Sequence, residues 1–535
     1  MSTTFPPNSP LARLRASTLL KPSSKDKNIK RVLQVTRLRL RRAGAGLGLA
    51  IVALGANHSF GQVNQATADA ALNGYNSAFL VTSGSLTYYK KGTGTSTTDL
   101  KPQGTWGEAL DIGVAEDAYE RTGTAAAKTL VSNLMTTFLT QNGTDWSGDT
   151  WNDDLGWMCL CCMRGYQITG NSTFLTVAEN NFNTAYNRGW DSTFGGGVWE
   201  NMATLASKCA LDNDGLAIVG CYIYQATEDT TYLTKAQNMY SWVRSKIFNT
   251  TTGQINEGWK ADGLEVSDNV YNSGTFVNMA NLLHNITGTA SYYNDAVLAA
   301  NHVVNKTAIL SNGSRASNCW AQDFVRGLRN LCRDNHLWDT YYPWLENNAN
   351  ASWNERRTDL NITWNSWTSA TPTDDCSSME SMSGAIVQQM LPCTYEPDLL
   401  TIPGYSGPDY RVIADSNFRD GEGVILDATA AGNYIAFLAP EISARSYDVR
   451  VAVKKFNSRG IIQMAIGQVG NNSPVNTGAP QDLYSSSAQY VELDLGTWTP
   501  ATSGDKWIWF KITGKNAASS GYSVCFDYIR LLPIK

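Results

Sequence analysis

Apolar residues between positions 65 and 391 follow two helical patterns that alternate along the chain. Three segments are apolar on all sides, namely 154–168, 213–226 and 273–286. The segments that follow them are amphipathic, namely 172–187, 230–247 and 290–308. A helix without a polar face must be buried all round, whereas one apolar stripe suits a helix on the outside of a core. Together with the neighbouring segments, the pattern predicts twelve helices in an all-α (α/α)6 barrel, six inner and six outer.

A short motif closes four of these helices. Its copies are Tyr119–Gly123, Tyr166–Gly170, Tyr224–Glu228 and His284–Gly288. The threonines of the motif are 47, 58 and 60 residues apart, which leaves room for two helices and their loops. We expect these turns to join inner to outer helices. The return loops are longer and rich in Trp, Asp and Gly, at 142–154, 189–200, 249–259 and 311–320. Because functional residues concentrate on loops carried by a rigid scaffold, the site should lie at the end of the return loops.

The pattern changes to short strands after about Pro392. Strand-like runs are Tyr410–Ala414, Tyr434–Leu438, Tyr447–Val453, Ile461–Ile466, Tyr490–Leu495, Lys506–Thr513 and Val524–Leu531. They predict an all-β sandwich over 410–535, after a helical domain over 62–392 and a proline-containing linker over 393–409. Trp498, Trp507 and Trp509 are its notable aromatics. Trp507 and Trp509 share one face of a strand, so both point into the core, which we favour, or both towards a ligand.

The N-terminus is strongly basic. Residues 1–61 contain eleven Lys or Arg and one acid, and an apolar run from Ala43 to Ala56 follows Arg41 and Arg42. That run is too short to span a bilayer and is typical of an export signal, so we expect a secreted or extracytoplasmic protein. A basic arm on a cytosolic protein is the alternative. The rest of the chain holds 31 basic and 46 acidic residues, which argues against nucleic-acid binding.

Composition favours a carbohydrate ligand. The chain has 17 Trp and 24 Tyr with only 17% charged residues, and aromatic rings stack on the apolar faces of sugars, although a large helical core also uses them. Four histidines and ten cysteines without zinc spacing argue against a catalytic metal. We therefore expect no required cofactor. Cys376 and Cys393 are the pair that could form a disulfide, and Asp415 and Asp527 could hold a structural Ca²⁺ in the tail domain.

Two adjacent acids, Asp153 and Asp154, begin an inner helix between Trp151 and Trp157. One acid could cap the helix and the other complement its dipole. Both could instead line one pocket, with carboxyl groups at most roughly 6 Å apart, close to the 5–5.5 Å that retaining glycosidases need and short of the 6.5–9.5 Å of inverting ones. Like charges this close raise one pKa, as a proton donor requires. Geometry thus favours retention.

Several motifs together resemble glycoside hydrolase family 76, the α-1,6-mannanases. They are Asn152-Asp-Asp-Leu-Gly-Trp157, Gly195-Gly-Gly-Val-Trp199, Tyr271-Asn-Ser-Gly274 and the Tyr-x-x-Thr-Gly turns. The resemblance covers roughly residues 65–391 and implies an (α/α)6 barrel. It also implies retaining, endo-acting hydrolysis of α-1,6-linked mannan, with Asp153 as nucleophile and Asp154 as acid/base.

Further residues are candidates for binding the polysaccharide: Trp151, Asn152, Trp199, Glu200, Asn213, Tyr271 and Asn272. Core packing or helix capping is the alternative for each. Glu200 stands where the family often has a second Trp, so the substrate is less constrained than the reaction. The final strand, Val524–Leu532, resembles those of carbohydrate-binding β-sandwich modules. The alternatives are a cell-wall transglycosidase, a uronide-processing enzyme and a non-catalytic glycan-binding protein.

Overall fold

Twelve helices form the first part of the structure, a computed structural model that describes residues 63–311, 321–470 and 474–535. The inner helices are α2 (Thr105–Thr122), α4 (Asn152–Thr169), α6 (Ala210–Thr227), α8 (Val270–Thr287), α10 (Ala321–Asn335) and α12 (Ser378–Met390). The outer helices are α1 (Gln65–Phe79), α3 (Ala125–Asn142), α5 (Ser172–Gly189), α7 (Thr230–Lys246), α9 (Ala290–Lys306) and α11 (Trp338–Asn354). Each inner helix contacts the next, and α12 contacts α2. The ring is therefore closed, and the predicted (α/α)6 barrel is confirmed.

Left-handed caps end four of the inner helices, as the repeated motif predicts. Gly123, Gly170 and Gly288 adopt φ of 63°, 76° and 69°, and Glu228 adopts 61° in the fourth copy. The N–H of each cap donates to the carbonyl of the first residue of the motif, as at Gly123 and Tyr119 (2.7 Å). Glycine accepts this conformation without strain from a Cβ. These turns define the closed end of the barrel, and the helix N-termini of the inner ring define its open end.

Two small antiparallel β-sheets accompany the helices of the barrel. A hairpin pairs β1 (Leu80–Ser83) with β2 (Leu86–Tyr89), and a three-stranded sheet joins β3 (Ser207–Cys209), β4 (Gly258–Lys260) and β5 (Gly263–Glu265). The second sheet links the return loops that precede α6 and α8. It thereby fixes those loops at the open end.

Two antiparallel sheets follow the barrel. One has the order β13 (Val475–Asp482), β12 (Gly460–Gln468), β15 (Gly504–Lys515), β10 (Tyr434–Ile442), β7 (Thr401–Ser406). The other has the order β14 (Gln489–Trp498), β11 (Ser446–Lys455), β16 (Val524–Ile534), β9 (Glu422–Leu426), β8 (Tyr410–Ala414), and β6 (Cys393–Tyr395) also pairs with β16. Ile508, Phe510, Val451 and Phe526 lie in the core between the sheets. A β-rich domain after the barrel is thus confirmed.

The prediction of a linker over 393–409 is wrong for two segments, because both form β-strands. Cys393–Tyr395 pairs with β16, and Thr401–Ser406 pairs with β10. Both are edge strands, where a missing N–H such as that of Pro403 is tolerated. This segment is therefore part of the sandwich.

The sandwich packs against the closed end of the barrel. A Cβ on Gly123 would lie 2.4 Å from the Ser503 hydroxyl, and the Trp338 indole N–H donates to the Pro533 carbonyl (2.7 Å). Leu532 of β16 joins the buried apolar cluster of the barrel. Glu346 on α11 pairs with Arg419 (2.7 Å) of the β-domain. The two domains are thus joined by both apolar and ionic contacts.

Cys376 and Cys393 are not joined to each other in the structure, so the predicted disulfide is wrong. They lie at opposite ends of α12, whose 13 residues span about 20 Å at 1.5 Å per residue. A disulfide needs Cα atoms within about 7 Å. The two cysteines therefore cannot meet.

Asp415 and Asp527 already have partners in the tail domain. Asp415 accepts from Lys454 and from Tyr490, each at 2.6 Å, and Asp527 accepts from the Arg419 backbone N–H at 2.9 Å. A calcium ion there stays a prediction that these contacts do not favour.

The predicted export signal over 1–61 lies outside the described residues. Across the described ranges, no helix combines the length and the hydropathy needed to span a membrane.

Candidate active site

Acidic side chains gather at the open end of the barrel. They stand in the first turns of five inner helices: Glu108, Asp153, Asp154, Asp212, Asp323 and Glu380. A helix N-terminus carries partial positive charge, so each acid is favoured there by its own helix. Because the six N-termini converge, the same preference concentrates negative charge around one opening.

Asp153 and Asp154 occupy the second and third positions of α4 and are both half-buried. The backbone N–H groups of Asp153 and Asp154 lower the pKa of the Asp153 carboxyl group, whose Oδ1 is buried without a hydrogen-bond partner among the described residues. Trp151, two residues before Asp153, is 44% exposed. Neither acid is sealed from solvent or fully used by the backbone. The pair, with an aromatic ring beside it, is therefore open to a substrate.

Burial raises the pKa of both acids well above that of an ordinary carboxyl group. It raises the pKa of Asp153 to about 7, with smaller increases from the negative charges of Glu200 and Asp149. Burial raises the pKa of Asp154 to about 8, and the charge of Asp153 adds to the effect. Once Asp153 is ionised, its negative charge favours the protonated form of Asp154, which gives an order to the two ionisations. This order suits an ionised nucleophile beside a proton donor.

Glu200 is fixed beside the start of α4 through its backbone. Its carbonyl accepts from the Asn152 N–H (2.8 Å), and its N–H donates to the Ser207 carbonyl (3.0 Å). The Ser207 hydroxyl donates to the Glu200 carboxylate. The carboxylate is thereby held near Asp153 and near buried Asp212, whose pKa is raised by burial and then by the charges of Asp153 and Glu200. A third and a fourth acid therefore lie close to Asp153.

The glycine loop before Trp199 is built by left-handed backbone. Gly195, Gly196 and Gly197 adopt φ of 82°, 118° and 84°, and a Cβ on Gly197 would lie 2.7 Å from the Trp242 ring. The loop brings Trp199 back to the barrel, where its indole N–H donates to Asp191 (2.8 Å). Trp199 is only 6% exposed. It braces the loop and presents little surface to a sugar.

Asn152 and Asn213 are fully buried. The Asn152 amide donates to the Trp199 carbonyl (2.7 Å). The Asn213 side chain accepts from the Val198 N–H (2.9 Å) and donates to the Cys209 carbonyl (2.8 Å). The prediction that these two asparagines contact substrate is therefore not supported by their surroundings. They hold the glycine loop against α4 and α6.

Tyr271 and Asn272 converge on Glu257, a residue that the sequence did not single out. The Asn272 amide donates to a Glu257 carboxylate oxygen (3.0 Å), and the Tyr271 hydroxyl lies 3.1 and 3.2 Å from its two oxygens. Asn272 is fully buried and Tyr271 nearly so, whereas Glu257 is half-buried. Glu257 is thus the group of this cluster best placed to meet a ligand. The feature of the sequence that could have pointed to Glu257 is its position in a return loop, next to β4.

The family model described as Glycosyl hydrolase family 76 matches residues 75–397, more than half of the chain. The chain belongs to glycosyl hydrolase family 76. It is accordingly a glycosidase, and the Asp153–Asp154 pair lies within the matched range. A search of curated proteins gives no match.

Solved structures share the family 76 barrel at low sequence identity. An inactive variant of an α-1,6-mannanase from a Salegentibacter species, in complex with an α-1,6-mannotetraose, is 22% identical with a TM-score of 0.56; the match covers 61% of this chain and 97% of that one. A family 76 mannosidase from Bacteroides thetaiotaomicron is 20% identical with a TM-score of 0.51, covering 61% and 96%. A Listeria innocua protein is 22% identical with a TM-score of 0.54, covering 61% and 95%. These likenesses show a common fold.

Proposed function

We propose that this family 76 member is an endo-acting, retaining α-1,6-mannanase. Asp153 attacks the anomeric carbon and forms a covalent mannosyl ester while Asp154 protonates the departing glycosidic oxygen. Asp154 then takes a proton from the water that cleaves the ester, which restores both acids. The observation that carries the proposal is the open, adjacent pair at the start of α4, in which the charge of an ionised Asp153 raises the pKa of Asp154.

The substrate class is supported by relatives and by charge. The Salegentibacter variant in complex with α-1,6-mannotetraose is inactive after replacement of two consecutive aspartates, a pair like Asp153 and Asp154. In the described part of the open end, Lys208 pairs with Asp191 (2.6 Å) and Lys260 with Glu265 (2.5 Å). Cations engaged in this way leave an acidic opening, which suits a neutral polysaccharide better than a uronide.

Product analysis tests the reaction. The purified chain is expected to release oligosaccharides from debranched yeast α-1,6-mannan, and NMR should detect the α-anomer first. A first-formed β-anomer would refute the double displacement. Absence of cleavage on mannan, with cleavage of an acidic polysaccharide, would refute the substrate. Products longer than the starting oligosaccharide would indicate transfer of the mannosyl ester to a sugar hydroxyl.

Substitution of each aspartate tests the two roles. Fluoride leaves without needing a proton, so Asp154→Asn should still form the ester from α-1,6-mannobiosyl fluoride while losing about 10²–10⁴-fold on mannan. Asp153→Asn should lose activity on both substrates. Asp145→Asn, on an exposed part of the same return loop, is the matched control and should retain full activity. Equal losses on both substrates for the two variants would contradict the assignment.

A further inference from the structure

Three aromatic rings meet on the outer face of the five-stranded sheet. Trp507 and Trp509 alternate along β15 with Ile508 and Phe510, which are in the sandwich core, so both indoles point away from that core. The core position that the sequence favoured for them is therefore wrong. Tyr434 of β10 lies with its ring centroid 4.8 Å from that of Trp509, which lies 6.1 Å from that of Trp507. We call Trp507, Trp509 and Tyr434 the aromatic platform; all three are half-buried.

Mostly small residues flank the rings on the neighbouring strands, and Leu438 beside Trp507 is the exception. Trp509 stands between Ala436 and Ala465, and Gly467 is beside Trp507. Gly404 extends the same row beyond Ala436. Side chains of this size cannot cover an indole. The two indole rings therefore stay partly exposed, although the Nε1 atom of Trp509 is buried.

The outer face of the other sheet packs against the barrel, whereas this sheet meets the barrel at one end of β10 and β15, near Ser443 and Ser503. Arg530 and Leu532 project from the outer face of β16, where Arg530 stacks on Tyr342 of α11 (4.0 Å to the ring centroid) and Leu532 joins the barrel core. The aromatic platform is on the opposite side of the sandwich. Packing against the barrel or in the sandwich core therefore does not explain the presence of two tryptophans at this position. Contiguous apolar surface of this kind marks a binding site.

The chemistry of the rows around the platform favours sugar. Exposed Asn476 is in the row of Trp509, and exposed Thr401 is in the row of Trp507. Charged side chains nearby are Lys511, next to Tyr434, and exposed Asp505, two residues before Trp507 on β15. Aromatic faces stack on the C–H surface of a pyranose, and amides and hydroxyls at the edge bond its hydroxyl groups. We propose that the aromatic platform binds a neutral hexopyranose polysaccharide, at the side of the molecule remote from Asp153. The choice of α-mannan as the first ligand rests on the proposed function.

Retention on polysaccharide tests this site. The full chain carrying Asp153→Asn and Asp154→Asn serves as a non-hydrolysing background, probed with insoluble yeast mannan, a neutral β-glucan and polygalacturonate. Adding Trp507→Ala and Trp509→Ala is expected to weaken retention on a neutral polymer about tenfold or more, since two stacking contacts are lost. In the otherwise wild-type chain, the same two substitutions should leave turnover of α-1,6-mannotetraose unchanged. Tyr405→Ala is the control, because Tyr405 is 39% exposed on the same sheet but is paired with core-facing Ile435.

Several results would overturn the site. Unchanged retention in the tryptophan variant, no retention on any neutral polymer, or stronger retention on polygalacturonate would each do so. A wild-type dimer that the two substitutions convert to a monomer would identify the platform as a subunit interface instead. If the double substitution lowers the melting temperature strongly, Trp507→Gln alone gives the same comparison. Failure of the proposed function would give a different result. The wild-type chain would still bind a neutral polymer through the platform, but it would not cleave mannan.

Discussion

Glu200 and Asp153 are coupled electrostatically at the open end of the barrel, and this coupling can be measured. The negative charge of Glu200 contributes to the raised pKa of Asp153. In Glu200→Gln, that pKa should fall, so the acid limb of the pH profile of kcat/KM should move to lower pH. The alkaline limb, set by the proton on Asp154, should move less. Glu228→Gln, at the closed end, is the control and should leave both limbs in place.

For the wild-type enzyme, the same acids predict a bell-shaped profile. Activity should rise as Asp153 ionises, near its pKa of about 7, and fall as Asp154 loses its proton, near its pKa of about 8. Rates on a soluble mannan oligosaccharide between pH 4 and 10 give the two limbs. An alkaline limb that persists unchanged in Asp154→Asn would contradict the role of Asp154 as proton donor.

Single residues also show where sequence reasoning succeeds and where it stops. The Asp153–Asp154 pair can be recognised in the sequence, because two acids at the start of an apolar helix call for a structural or a functional explanation. Asn152 and Asn213 look the same in sequence as sugar-binding asparagines, because an amide serves a backbone carbonyl or a ligand equally well. Glu257 carries no local pattern, since its environment is made by α8, which follows it in the chain.

At the scale of elements, α8 and α10 touch through glycines. A Cβ on Gly274 would lie 2.3 Å from the Phe324 backbone nitrogen, and one on Gly327 would lie 2.4 Å from the Gly274 carbonyl oxygen. Gly274→Ala should therefore push the helices apart and lower the free energy of unfolding by about 1–3 kcal/mol or more. Gly215→Ala on α6, where a Cβ would meet no described atom within 4 Å beyond its own helix backbone and chain neighbours, should be neutral or stabilising by up to about 1 kcal/mol. Denaturant titration of both variants makes the comparison; equal stabilities would contradict it.

The helices were predictable and the sheet faces were not, for a physical reason. A 3.6-residue period and a left-handed cap are local features, so the helix pairs follow from the chain itself. A two-residue period places Trp507 and Trp509 on one face but leaves open which side is the core. That choice depends on strands far apart in sequence. The edge strands at Cys393–Tyr395 and Thr401–Ser406 are likewise defined only by β16 and β10.

At the scale of the whole molecule, buried acids should make the fold less stable as the pH rises. Burial raises the pKa of Asp111 and Asp153 to about 7 and that of Glu108 and Asp154 to about 8, above ordinary carboxyl values near 4. Their favourable contribution is complete below about pH 4 and is lost as the pH rises through 7 and 8. The melting temperature should therefore be lower at pH 8.5 than at pH 5. Glu108→Gln should reduce this difference, and an identical difference in the variant would contradict the explanation.

The sandwich at the closed end has a practical consequence for handling the enzyme. Lys535 is exposed, and its backbone N–H donates to the Arg333 carbonyl near the end of α10 (3.2 Å), on the side of the barrel remote from Asp153. A bead or sensor surface coupled through Lys535 would orient every molecule with its catalytic opening towards the liquid. Immobilised in this way, the enzyme should lose little of its turnover on long dissolved chains.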